Sequence, residues 1–114
     1  METTYQGVML RIFLGESDIH NAVPLYERII VEARKHGIAG ATAYKGIMGF
    51  GKASLIHTSK ILRLSEDLPV IIEIVDSIDK IEEFVKTIKQ LFHEAKTDGL
   101  MTKERVETIS LKEK

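Results

Sequence analysis

The residues best equipped for chemistry stand together in one stretch, Gly49 to Asp67, which reads GFGKASLIHTSKILRLSED. Gly49 and Gly51, with Gly46 just ahead of them, permit positive φ and let a ligand approach the backbone closely. Lys52, Lys60 and Arg63 supply cationic donors of the kind that meet a phosphate or another anion. His57 adds an imidazole beside Thr58 and Ser59. A connection this long inside a small domain is usually either functional or disordered. The same composition also describes a solvated loop whose charges keep it soluble, and Ala53 to Ile61 is compatible with a short helix.

Other reactive groups are more dispersed. The histidines at 20, 36, 57 and 93 include no pair at metal-ligand helical spacing. His36 is expected to interact with its helix terminus, and His93 to lie at the surface. Glu66-Asp67 precede Pro69, where a turn role competes with a catalytic one. Glu16 and Asp18 can cap the helix that follows them. There is no cysteine, which excludes disulfides, thiolate metal sites and a cysteine nucleophile.

The elements that must position these groups follow from the patterning. The chain has 114 residues, enough for one hydrophobic core and too few for two, so one domain over residues 1–114 is expected. Its 16 basic and 17 acidic residues give a net charge of -1 and no broad positive field, so nucleic acid is not an expected partner. No apolar run is long enough for a bilayer, and Met1 to Gly7 lacks the apolar core of a signal peptide. The expectation is a cytoplasmic protein without membrane insertion.

Val8, Leu10, Ile12 and Leu14 alternate against Met9, Arg11 and Phe13, the period of a strand with one buried face. Gly15 to Asp18 ends that strand in a turn. Pro24 is tolerated in a helix's first turn, and Leu25, Ile29 and Ala33 then form a helical stripe. Arg34, Lys35 and His36 suit the negative end of the helix dipole, with Gly37 as the C-terminal cap. A second strand is expected over Ala39 to Ile47. The order then repeats. Leu68 to Val75 is an apolar strand broken only by Glu73. Asp76 or Ser77 caps a helix striped by Ile81, Phe84, Val85, Ile88, Leu91 and Phe92. Thr97-Asp98-Gly99 stops it, and Arg105 to Leu111 closes the sheet.

Two strand-helix-strand units make a βαββαβ order, an α+β ferredoxin-like sandwich with an antiparallel sheet and both helices on one face. Leu10, Ile29, Phe84 and Ile88 are expected in its core. Met9, Phe13 and their outward neighbours leave the other sheet face apolar, which predicts a homo-oligomer.

Gly37-Ile38-Ala39-Gly40-Ala41-Thr42, followed by Gly49-Phe50-Gly51-Lys52, resembles the second strand and loop entry of PII signal-transduction proteins. Leu68 to Val75 resembles their third strand. Closer still is the similarity to the PII-like family with domain of unknown function 190. That family shares Leu10-Arg11-Ile12 to Asp18, Pro24 to Glu27, Gly37 to Thr42, Ile56-His57-Thr58, and Ile61 to Pro69. The resemblance implies a homotrimer with its sheets packed inside. It also implies a small anionic effector, such as an adenine nucleotide, in clefts between subunits. Thr42, Gly49, Gly51, Lys52 and Glu73 occupy the matched positions, and Arg63 adds an anion partner. The 49–67 loop, through Phe50, His57, Lys60 and Arg63, would then dock on a partner such as a membrane transporter or an enzyme. Thr97 to Lys103 departs from the PII pattern, holding a single glycine where PII proteins carry a glycine-rich phosphate cradle, and the loop has no tyrosine to modify.

Two other resemblances compete. Tyr5-Gln6-Gly7-Val8-Met9-Leu10-Arg11 resembles the acylphosphatase signature, but Ala41 to Lys45 lacks the asparagine that would orient water. Another trimeric relative of PII proteins is associated with divalent metals, for which His57 is the residue to test.

Overall fold

The alternation of Val8, Leu10, Ile12 and Leu14 becomes the inward face of a long central strand, β1 (Glu2–Gly15). In this computed structural model, which describes residues 1–50 and 67–113, a short hairpin follows as β2 (Ile19–His20) and β3 (Val23–Pro24). Then come helix α1 (Leu25–Lys35), β4 (Ala41–Lys45), β5 (Pro69–Ser77), helix α2 (Ile78–Ala95) and β6 (Leu100–Leu111). The main sheet has the order β4-β5-β1-β6, antiparallel throughout, which is the ferredoxin-like arrangement.

Both helices pack on one face. Leu10, Ile12, Ile29, Phe84 and Ile88 have no solvent exposure at all, and Val70, Ile72 and Ile74 of β5 join them. The expected core residues are therefore the real ones.

Caps set where the helices end. The Ile38 N–H reaches the Ala33 carbonyl at 3.1 Å and the Gly37 N–H reaches Arg34, a Schellman closure that needs the positive φ of 71° at Gly37. At α2 the Ser77 hydroxyl accepts from the Lys80 N–H, so Ser77 is the N-cap. Asp76 has a different task. Its buried carboxylate accepts from the Ala39 N–H at 3.0 Å and from the Ser77 N–H at 2.7 Å, fastening the lead-in to β4 onto the start of α2.

Several boundaries differ from the sequence expectation. β1 starts at Glu2 because Glu2 to Gln6 pairs only with Glu107 to Leu111, forming a two-stranded ribbon beyond the sheet. Neither face of that ribbon packs on a helix, so it carries no apolar alternation. β6 begins at Leu100, its Leu100 to Glu104 half lying beside Met9 to Phe13 as an edge strand with polar residues. β4 is shorter than Ala39 to Ile47, since Ala39 gives its N–H to Asp76 and Gly46 gives its own to the Pro69 carbonyl at 2.8 Å. Pro24 stands at the N-cap of α1 instead of inside its first turn. Helix α2 closes at Lys96, in left-handed conformation, ahead of Thr97-Asp98-Gly99. Glu16 and Asp18 do not cap α1 by side chain. Asp18 uses its backbone carbonyl for the Leu25 N–H and its carboxylate for Gly15 and Thr97.

Candidate functional site

The sheet face away from the helices carries Thr42 and Glu73, the expected site residues that lie within its strands. Residues opposite one another in an antiparallel pair share a face, so Thr42 on β4 stands beside Glu73 on β5, and Glu73 beside Arg11 on β1. Arg11 Nε donates to Glu73 Oε2 at 2.9 Å, the Tyr44 hydroxyl donates to the same oxygen at 3.0 Å, and Arg11 also engages Glu104 of β6. One guanidinium thus bridges three strands through two carboxylates. Hydrogen bonds from Arg11 and then Tyr44 hold the Glu73 carboxyl below the usual carboxylate range. The same bond to Glu73 raises the Tyr44 phenol, and bonds to Glu73 and Glu104 raise Arg11.

Around this network the face is apolar. Met9, Phe13, Ile71 and Val75 are only half-buried, and Leu100 is exposed. A groove of about 390 Å³ opens beside it, lined by Thr42, Glu73, Tyr5, Met9 and the Thr108–Ser110 end of the ribbon. Thr42 and Glu73 thus meet at one concave surface.

Gly49 lies farther along the same edge. A Cβ there would sit 3.1 Å from Pro69 Cγ, and its φ of 154° favours glycine, so the chain leaving β4 is laid tightly over the start of β5. Glu73 stands four residue steps along β5 from Pro69, about 13 Å at strand rise. The three residues therefore line an elongated edge instead of a single point. Phe50 follows, 73% exposed, and Ile47 and Met48 before it are exposed as well. Gly51, Lys52, His57, Lys60 and Arg63 lie outside the described residues.

Arg11 was expected only as part of the acylphosphatase signature, and Tyr44 and Glu104 were not among the expected site residues. Their signal was present for two of the partners: Arg11 and Glu73 are the charges that interrupt otherwise apolar strands, with opposite sign. Tyr44 and Glu104 needed the register. The histidines also sort by geometry. His36 Nδ1 donates to the Glu32 carbonyl at 2.8 Å at the end of α1, and its ring meets Phe84 edge-on at 5.3 Å. His93 is exposed, whereas His20 is buried. Among the described residues no three histidine, aspartate or glutamate side chains gather as a metal site. Asp67, the described half of the Glu66-Asp67 pair, accepts from the Ser17 N–H at 3.1 Å, a turn role.

The profile of the DUF190 family, described as an uncharacterized ACR, matches residues 7–108. The chain belongs to the DUF190 family. Among relatives, a UPF0166 protein of Aquifex aeolicus (strain VF5) is 38% identical over 103 residues, covering 90% of this chain and 93% of the relative. A UPF0166 protein of Methanocaldococcus jannaschii is 38% identical over 93 residues, 82% of each chain. Among solved structures, CPII from Thiomonas intermedia K12, bound to ADP, AMP and acetate, superposes with a TM-score of 0.64 at 14% identity, covering 93% of this chain and 91% of that one. A putative PII-like signaling protein from Thermus thermophilus gives 0.62 at 15% identity, covering 92% and 91%. This DUF190 chain therefore has the PII-like fold. Among its described residues, no helix is long and apolar enough to cross a membrane.

Proposed function

We propose that this DUF190 protein is a PII-like regulator that binds a small anionic effector, an adenine nucleotide by preference, at a cleft between subunits of a homotrimer. The observation that carries the reading is the pairing of Thr42 with Glu73 at the mouth of a groove on the apolar sheet face. A site on a face that needs cover is a site that a second copy completes. The apolar surface consists of partly exposed Met9, Phe13, Ile71 and Val75 with exposed Leu100 beside Phe13, contiguous on one face as in a surface that a partner covers.

Support for a nucleotide comes from the fold, shared with CPII, which was solved bound to ADP and AMP. Gly51, Lys52 and Arg63 would complete the site from the 49–67 connection, and Glu73 would meet donors of the effector after exchanging its Tyr44 contact. Effector binding then biases that connection between two states, and a partner protein reads the difference, a membrane transporter or a cytoplasmic enzyme. Phe50, His57, Lys60 and Arg63 would form the docking surface.

Regulation is favoured over catalysis because Arg11 is already engaged by Glu73 and Glu104. An acylphosphatase needs that guanidinium free for its substrate's phosphate. The test is calorimetric titration of the full chain with ADP, ATP and AMP. Saturable binding that weakens in Lys52→Ala and Thr42→Val, without turnover of nucleotide or acyl phosphate, is expected. No heat with any of the three at millimolar concentration would remove the nucleotide from the reading.

A further inference from the structure

His36 does more than close α1. Its backbone N–H and its ring Nδ1–H both go to the Glu32 carbonyl, at 3.0 and 2.8 Å, and its ring meets Phe84 edge-on. A carbonyl oxygen only accepts, so Nδ1 holds the hydrogen of the neutral ring and Nε2 keeps a lone pair. That lone pair faces a hydroxyl. Thr87 Oγ1 of α2 lies 3.2 Å from His36 Nε2 and donates to it. A threonine inside a helix usually turns its hydroxyl to solvent or back to a carbonyl of the preceding turn. This one reaches across to the neighbouring helix.

A hydroxyl, an imidazole and an acceptor that orients the imidazole form the sequence of contacts by which a weak oxygen nucleophile is activated. The ring takes the hydroxyl proton, and the group behind it fixes the tautomer that can do so. Here a backbone carbonyl holds that third position, with the Glu32 carboxylate 3.9 Å from the same ring nitrogen. Both reacting groups are within reach of solvent. The His36 side chain is 34% exposed, and half-buried Thr87 stands on the wall of a groove of about 480 Å³ between α1 and α2. The formal charges lining that groove, Arg28 and Lys86 against Glu32 and Glu94, cancel, which suits an uncharged acyl group.

We propose that Thr87 is an acylation site with His36 as its general base, and that the acyl donor is an activated ester seated in the α1–α2 groove. Thr87 Oγ1 attacks the ester carbonyl carbon while its proton passes to His36 Nε2. The bond from that carbon to the leaving oxygen then breaks, the leaving group departs with the electron pair and takes the proton from Nε2, and Thr87 remains as an ester. The site lies on the helical side, away from the sheet-face groove, and does not depend on the nucleotide reading.

The experiment treats the full chain with p-nitrophenyl acetate, follows release of p-nitrophenol, and locates the acetyl group by peptide mass spectrometry. The expected result is a burst of about one p-nitrophenol per chain with the acetyl group on Thr87. His36→Gln removes the base and should slow acylation of Thr87 about a hundredfold or more, the range that a positioned base contributes. Thr87→Val keeps the shape without the hydroxyl and should abolish the burst while circular dichroism shows an intact fold. Thr87→Ser returns a hydroxyl and should restore it, a rescue that a merely structural contact would not give. Exposed lysines react slowly without help, and their acetylation, equal in all four proteins, shows that the variants are folded alike. Acetyl groups found on lysines alone would overturn the proposal. So would a burst that survives Thr87→Val, or a Thr87 acylation rate that His36→Gln leaves unchanged.

Discussion

Phe13 offers the sharpest division between what holds the chain together and what would join one copy to the next in the proposed trimer. It points from β1 to the sheet face opposite the helices, between Ile71 of β5 and Leu100 of β6, and is half-buried within the chain. Full burial of a large apolar side chain is worth about 1.5–3 kcal/mol, so covering the third or less of Phe13 that stays exposed contributes up to about 1 kcal/mol per copy. In the proposed trimer the three copies of Phe13→Ala lose up to about 3 kcal/mol, at most a hundredfold in the association constant. Because that constant scales with the square of concentration, the dissociation midpoint rises by up to about tenfold. Sedimentation velocity over a dilution series reads this directly. Leu10, on the opposite face of the same strand, packs toward the helices with no exposure. Leu10→Ala should instead cost about 2–5 kcal/mol of folding stability. A wild-type chain that sediments as a monomer at every concentration would refute the reasoning, as would a Phe13→Ala midpoint equal to the wild type's.

The hairpin turn at Asn21-Ala22 holds both residues at positive φ, 50° and 67°, the signature of a turn that prefers glycine second. Ala22→Gly should therefore raise stability by about 0.5–1 kcal/mol, a melting temperature several degrees higher. Asp76→Ala removes the acceptor for Ala39 and Ser77 and should lower stability by about 2 kcal/mol in urea titration. Glu73 sets an acid limit. Its folded carboxyl lies below its unfolded one, so its contribution is present above the ordinary carboxylate value of about 4.3 and is lost as the pH falls through the folded value. Melting temperature against pH should fall in that window for the wild type and fall less for Glu73→Gln.

Much of this fold could be read in advance because its core obeys simple periods. Leu10 and Ile12 repeat every second residue, Leu25 and Ile29 every fourth, and each period names the face that packs. Glu2 to Gln6 could not be read that way, since a free two-stranded ribbon buries neither face and leaves no periodic trace. The hairpin was hidden for another reason: Asn21-Ala22 lacks the glycine that usually advertises such a turn. At the site, Thr42 and Glu73 were reached through the resemblance to PII proteins and not through any periodicity of the chain. Their link to Arg11, Tyr44 and Glu104 depends on register between strands far apart in sequence, which no local pattern encodes. His20 was invisible as a buried group because its partner Glu94 stands 74 residues away.

Where a nucleotide lands on the molecule is the most direct test of a regulator built around the sheet face. Backbone amide shifts of the nitrogen-15 chain during ADP titration should change together at Thr42, Gly49 and Glu73, along the edge that β4 and β5 share, and the response should weaken when Phe13→Ala dissociates the assembly. Shifts confined to the helical side, or the same shifts undiminished in the dissociated chain, would contradict it.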